Sequence, residues 1–344
     1  MKNIHYVLGE RCNLRCTYCD VNTSSSEKLL NEDFDKVYNE IEKHPSYTLD
    51  LFGGEPFLFL DEIEYILSVY EKNVSKCSVI KITTNGTVFN DRVKNIIKNP
   101  LVKITISFDG NLQYIQRPNA SGTMYKLYIS DFISNVDYDI RGHCMINGET
   151  LRKYNITSLH KDILKQNLIP NLVLVRDIGS FVKEDIPVFR KQFKEYIEYA
   201  LDDLNEKSSS HSVAFSDIPL FIQNYTFSYL RYKVKQEYTS DCSVGVDYLS
   251  YIKNNTGDYK IGCERFLRNN DVKLENKDSV MHKCITCDIS AFCHKGCIYE
   301  QILNKCVIEE LCEIYHIIFD EIKKSFSKNK NIDFLKLFIR NYKS

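Results

Sequence analysis

The chain has 344 residues, with 45 Lys or Arg against 46 Asp or Glu and a formal net charge of −1. That balance argues against a broad nucleic-acid or membrane-binding surface. With 43 % apolar and 26 % charged residues, the composition suits a globular chain of one large domain and a smaller one.

The predicted elements alternate over the first 200 residues. Short β-branched runs predict strands at 4–9, 47–52, 78–84, 102–108, 140–146 and 171–177. Apolar residues three and four apart predict helices at 32–43, 60–73, 90–98, 123–136, 149–166 and 184–206, with Asn31 as an N-cap of the first. Six β-α units in series imply a parallel sheet with right-handed crossovers. The expected fold is α/β, a partial (β/α)6 TIM-like barrel at 1–206. A connector is expected at 207–240, a small Cys-rich domain at 241–325 and a helical tail at 326–344. No apolar run is long enough to span a bilayer. The start, "MKNIHYVLGE", lacks a signal peptide's apolar core and cleavage site, so a cytoplasmic location is expected.

In such a barrel, chemistry belongs on the loops at the C-terminal ends of the strands. "RCNLRCTYCD" at 11–20 follows the first strand, "GGEP" at 53–56 the second, "NG" at 85–86 the third and "DG" at 109–110 the fourth. The first of these carries Cys12, Cys16 and Cys19 in a C-x3-C-x2-C spacing. Clustered thiols in a reducing compartment read as metal ligands before disulfides. Three ligands leave a four-ligand metal or cluster with one open position. A zinc knuckle or a set of redox thiols is the plainer reading of the triplet alone. Gly53 and Gly54 let the backbone approach a ligand closely, though "GGEP" by itself also suits an ordinary turn.

Together, the triplet and "GGEP" resemble the radical S-adenosylmethionine superfamily. The resemblance implies a 4Fe–4S cluster whose free iron is chelated by S-adenosylmethionine. One electron then yields a 5′-deoxyadenosyl radical that abstracts a hydrogen atom from substrate. It further implies that Gly53, Gly54, Glu55 and Pro56 lie at the methionine amino group. Asn85 and Ser107 would reach the ribose or carboxylate, and Arg117 the carboxylate. Tyr18 would cover the adenine edge. Val173 and Val175 would pack on the adenine, although core packing also accounts for them. Arg11, Asn13 and Arg15 would add donors around the cluster.

Eight further cysteines lie between 242 and 312, four of them in "CITCDISAFCHKGC". This region resembles the SPASM extension of the same superfamily, which implies two auxiliary 4Fe–4S clusters and three clusters in all. Cys284, Cys287, Cys293 and Cys312 would hold the outer cluster, with Cys306 as an alternative to Cys312. Cys242, Cys263 and Cys297 would hold the inner one, leaving an open iron or one filled by Asp241. A pair of zinc sites also suits such cysteines. Cys77 and Cys144 read as buried thiols. Glu264 stands where sulfatase-maturing relatives place an aspartate proposed as the base. His282, His294 and His316 read as structural.

The resemblance therefore implies a maturase of a ribosomally made precursor peptide, with a cysteine thioether as the sharpest product. Formylglycine formation in a sulfatase is one alternative, and a non-catalytic iron–sulfur or zinc module is another. An electron donor such as flavodoxin or ferredoxin is implied. The barrel starts within four residues of Met1, so leader recognition is expected to need a separate protein or the barrel itself.

Overall fold

The computed structural model describes residues 2–19, 31–72, 76–177, 179–208, 219, 221–223, 225, 248–253, 259–262, 284, 287–293, 305 and 308–328. Two compact units divide the chain. One comprises Met1–His143, Ile163–Ile169 and Ser243–Asp271, the other Cys144–Asp162, Pro170–Cys242 and Val272–Ser344.

Six strands fall within two residues of their expected starts: β1 (Lys2–Gly9), β2 (Tyr47–Gly53), β3 (Cys77–Thr84), β4 (Val102–Ser107), β5 (Arg141–Ile146) and β6 (Ile169–Leu174). Two more, β7 (Tyr248–Lys253) and β8 (Tyr259–Gly262), complete a sheet ordered β6-β5-β4-β3-β2-β1-β7-β8. Strands β1 to β5 pair in parallel, each with the next. Such pairing requires crossovers, and helices supply them: α1 (Asn31–Ile41), α2 (Leu60–Lys72) and α3 (Asp91–Ile97) among the first. β7, which falls within the span expected for the Cys-rich domain, pairs parallel to β1, and β8 returns antiparallel beside it.

Strand alternation sorts side chains onto two faces. Ile4, Tyr6, Leu8, Leu49, Leu51, Ile80, Ile82, Ile104 and Ile106 are buried, as are Phe34, Val37, Ile63, Ile66 and Ile96 of the covering helices. The opposite face is polar. His5, Asp50, Lys81 and Lys103 stand in one register row, and Ser107 stands beside His143. The His5 imidazole lies 3.6 Å from Asp50. Burial, with Lys81 nearby, lowers the His5 pKa to about 4, so at neutral pH this contact is not an ion pair.

Two helix expectations are corrected by local chemistry. The stretch 149–166 forms two helices, α6 (Gly148–Lys153) and α7 (Ile156–Lys165). Tyr154 is extended, and Asn155 Oδ1 accepts from the Thr157 amide at 2.8 Å, which starts a new helix. Within 123–136 only α5 (Ile129–Ile133) is helical. A short α4 (Gln113–Gln116) precedes it.

In the second unit, α8 (Asp185–Ser208) buries Phe189, Phe193, Tyr196 and Ala200, and Phe221 packs edge-on against Phe193. A short α9 (Ser290–Cys293) and the long α10 (Glu309–Lys328) meet through Phe292 and Phe319, whose ring centroids are 5.2 Å apart. The expected connector at 207–240 lies largely outside the described residues, and of the expected helical tail at 326–344 only 326–328 are described, as the end of α10. No described helix is long and apolar enough to cross a membrane.

Candidate radical-chemistry site

The loop after β1 is tied down from three sides. Arg15 and Thr17 donate their amides to the carbonyls of Pro118 and Gln116 at 2.8 and 2.9 Å, and Leu14 forms a bridge with Asn119. Gly54 and Glu55 donate theirs to Gly9 and Arg11, each at 2.9 Å. The Asn85 amide donates to Asn13 Oδ1 at 2.9 Å and approaches the Cys12 sulfur at 3.8 Å. Segments following β1, β2, β3 and β4 thus converge on Cys12, Cys16 and Cys19, all free thiols.

The two glycines serve the loop itself. A Cβ on Gly54 would meet the Arg11 and Glu10 carbonyl oxygens at 2.3 and 2.5 Å. One on Gly53 would meet the Gly9 oxygen at 2.2 Å, on a backbone with φ of +146°. The close approach is between two backbones, so it seats the cysteine loop on the second strand's end. Glu55 then caps the turn Pro56–Leu58, with Pro56 at the start of that turn. Its carboxylate is fully buried and accepts from the amides of Phe57 and Asn85 at 3.1 and 2.7 Å and from the Thr84 hydroxyl at 2.7 Å. Burial raises its pKa to about 7 against the pull of those three donors.

Arg117 is buried. Its Nε donates to Asp109 Oδ2 at 2.7 Å and its Nη2 to Oδ1 at 3.3 Å. The Tyr18 hydroxyl donates to the same carboxylate, and the guanidinium lies over the Tyr18 ring. A third guanidinium nitrogen stands 4.0 Å from the Cys16 sulfur. Burial, the largest single influence, works against the charge on Arg117, but Asp109, Tyr18 and Cys16 together outweigh it and hold the pKa well above its ordinary value. Burial pushes the Cys16 thiol up to about 12, Arg117 opposes it, and Cys19 and Cys12 add to it. Cys12 is raised for the same first reason.

The residues fit an iron–sulfur cluster. Cys19 raises the pKa of Cys12, Cys19 and Cys12 raise that of Cys16, and N–H donors from Asn85 and Arg117 point at sulfur. Loading a metal there must displace the protons on those thiols.

Asp109 was missed in the sequence reading, which took "DG" as a loop only. The available signal was two opposite charges eight residues apart in the segment following β4. Of the added donors, Arg11 instead binds the Leu58 carbonyl, and Arg15 binds the carbonyls of Cys12 and Leu14. Ser107 lies half-buried at the end of β4, on the polar face beside His143, whose Nε2 is buried without a hydrogen bond. In the second unit, Val175 is buried, and Val173 is half-buried.

Cys284, Cys287, Cys293 and Cys312 are also free thiols, in the second unit. Burial pushes Cys312 up to about 12, and Cys293, Cys284 and Cys287, in that order, add to it. The four expected outer ligands are therefore neighbours, and they fit a cluster. Cys242, Cys263, Glu264, Cys297 and Cys306 lie outside the described residues, as do Asp241, His282 and His294. Cys77 and Cys144 are buried, as expected.

Residues 6–130 match the Radical SAM superfamily. The radical SAM cyclopropyl synthase TigE of Paramaledivibacter caminithermalis is 28 % identical over 60 % of this chain and 42 % of its own length. The chain thus aligns with about two fifths of that relative. A cysteine-type anaerobic sulfatase-maturating enzyme of Clostridium novyi is 25 % identical over 84 % of this chain and 85 % of its own. Among solved structures, native anSMEcpe with bound AdoMet and Cp18Cys peptide covers 95 % of this chain and 97 % of its own. Its TM-score is 0.64 at 14 % identity.

Proposed function

We propose, on the premise that the chain is an enzyme of the radical SAM superfamily, that it modifies a ribosomally made peptide by closing a cross-link. The carrying observation is the second set of thiols: Cys284, Cys287, Cys293 and Cys312, neighbours within the second unit. Likeness in fold to an enzyme holding both AdoMet and a peptide supports the same reading.

Cys12, Cys16 and Cys19 would hold a 4Fe–4S cluster, which with S-adenosylmethionine supplies a hydrogen-abstracting radical. The protein's share is positioning. Gly53 and Gly54 seat the loop, Asn85 and Arg117 face its sulfurs, and Asp109 fixes Arg117. Pro56 and Ser107 remain candidate cofactor contacts, as do Val173 and Val175. The outer cysteines would hold an auxiliary cluster, and Cys242, Cys263 and Cys297 another. A cysteine thioether is the sharpest product: the radical would take a carbon-bound hydrogen atom, the thiol would lose its proton, an S–C bond would form, and the remaining electron would pass to an auxiliary cluster. The cyclopropyl synthase relative also keeps a carbon–carbon ring closure in view.

A second reading, oxidation of a sulfatase cysteine to formylglycine with Glu264 as the base, is favoured by the long alignment with the Clostridium novyi enzyme. One experiment separates the two. Protein, S-adenosylmethionine and reductant are incubated anaerobically with cysteine-containing peptides, including a precursor peptide encoded beside the gene. A ring-closed peptide is lighter by two hydrogens and keeps its sulfur, whereas a formylglycine peptide loses its sulfur. 5′-Deoxyadenosine formed at the same rate with every peptide, and none of them altered, contradicts both.

A further inference from the structure

The sequence reading gave His316 no chemical part. It lies on α10 four residues after Cys312, and therefore on the same face of that helix. Its Nε2 is 3.8 Å from the sulfur of Cys287. Cys287, Asp288 and His316 each offer an atom within 4.8 Å of the other two. The thiol of Cys287 also lies 4.0 Å from Asp288 Oδ1. Once Cys287 binds a metal it is a thiolate, and that carboxylate beside it becomes an unfavourable neighbour. A proton on His316 Nε2, directed at the sulfur, relieves the repulsion. Ligands that cap separate corners of a cluster diverge from one another. An imidazole in contact with a ligand's sulfur is placed instead to donate to it.

We propose that His316 donates a hydrogen bond to the Cys287 thiolate and so raises the reduction potential of the iron–sulfur cluster held by Cys284, Cys287, Cys293 and Cys312. The proposal rests on reading those four cysteines as cluster ligands. The direction follows from charge. Reduction adds negative charge to the cluster and its sulfurs, and an N–H directed at sulfur stabilises the reduced state more than the oxidised one. His316 is exposed, so its proton exchanges freely with water.

The test needs no substrate. In a Cys12/Cys16/Cys19→Ala background, reconstituted anaerobically, the outer cluster's paramagnetic signal is the one that a further Cys293→Ala change removes. Its midpoint potential is titrated with His316 intact, with His316→Leu and with His316→Gln. The expected result is unchanged iron in all three, a clearly more negative midpoint for His316→Leu, and an intermediate one for His316→Gln, which keeps an N–H donor. Equal midpoints in all three overturn the proposal. So does loss of a cluster's worth of iron in both His316 variants, which makes the residue a ligand. Zinc retained at Cys287 and lost on His316→Leu also overturns it, because the group is then a mononuclear site. A background protein that binds no iron defeats the cluster reading itself, an outcome distinct from iron present at an unmoved potential.

Discussion

Arg117 Nε lies 2.7 Å from Asp109 Oδ2, with both side chains almost wholly buried. Breaking such a pair strands a charge in the interior, at a cost of roughly 3–5 kcal/mol. Asp109→Ala is therefore expected to lower the unfolding free energy of the metal-free protein by about that much. The Asp109→Ala/Arg117→Ala double variant should recover part of the loss. Denaturant unfolding of both measures the coupling, and additive losses would show that the pair is not formed.

Gly54→Ala places a methyl group against the Arg11 carbonyl. Backbone must move there, and the part that moves is the cysteine loop. The variant should fold with a penalty of about 1–3 kcal/mol. It should also lose about four irons per chain on reconstitution, the content of one cluster. Iron analysis checks this, with Gly179→Ala as a control for backbone strain alone, because its φ is +76° and nothing lies within 4 Å of its added Cβ. Full iron in Gly54→Ala would show that the glycines do not seat the loop.

Glu55 titrates near pH 7 in the folded protein, above its ordinary 4.5, mainly through burial. Between those values the folded state holds a proton that the unfolded chain has released, so stability falls as pH rises through that window. The loss is on the order of 3 kcal/mol. In Glu55→Gln this component of the slope should vanish. Unfolding free energies of the reduced, metal-free protein at pH 5 and pH 8 give the comparison. The same slope in both proteins would place the proton elsewhere.

Cys312 stands beside Cys284, Cys287 and Cys293, each of which raises its pKa, as expected of the fourth outer ligand. Cys312→Ala should lose about four irons per chain, and Cys306→Ala few or none. The reverse pattern would exchange their roles.

The six strands were legible because each is a short β-branched run, and the alternation with helices marked the sheet as parallel. The gathering of Cys12, Cys16 and Cys19 in one loop was legible because their spacing follows directly on a strand end. Other features depend on pairings distant in sequence. "YLSYIK" at 248–253 becomes a strand by adding to the edge of β1, which no local pattern announces. Gly53 and Gly54 announced a close approach, but not that the thing approached was the chain's own loop. Glu55 stood out as a charged residue, but its partners Thr84 and Asn85 became apparent only where the segment after β3 meets it, whereas Asp109 lies in the same segment as Arg117. The break at Asn155 reflects a side chain outcompeting the helix for one amide, a local effect within an otherwise continuous helical pattern.

The central claim is that Cys12, Cys16 and Cys19 hold a cluster that acts on S-adenosylmethionine. The direct measurement is iron content and 5′-deoxyadenosine formation under strong reductant, for wild type and the Cys12/Cys16/Cys19→Ala variant. The account predicts about 12 irons falling to about 8, with 5′-deoxyadenosine formed by the wild type alone. Wild-type protein that carries its full iron and forms no 5′-deoxyadenosine would contradict it, as would zinc in place of iron.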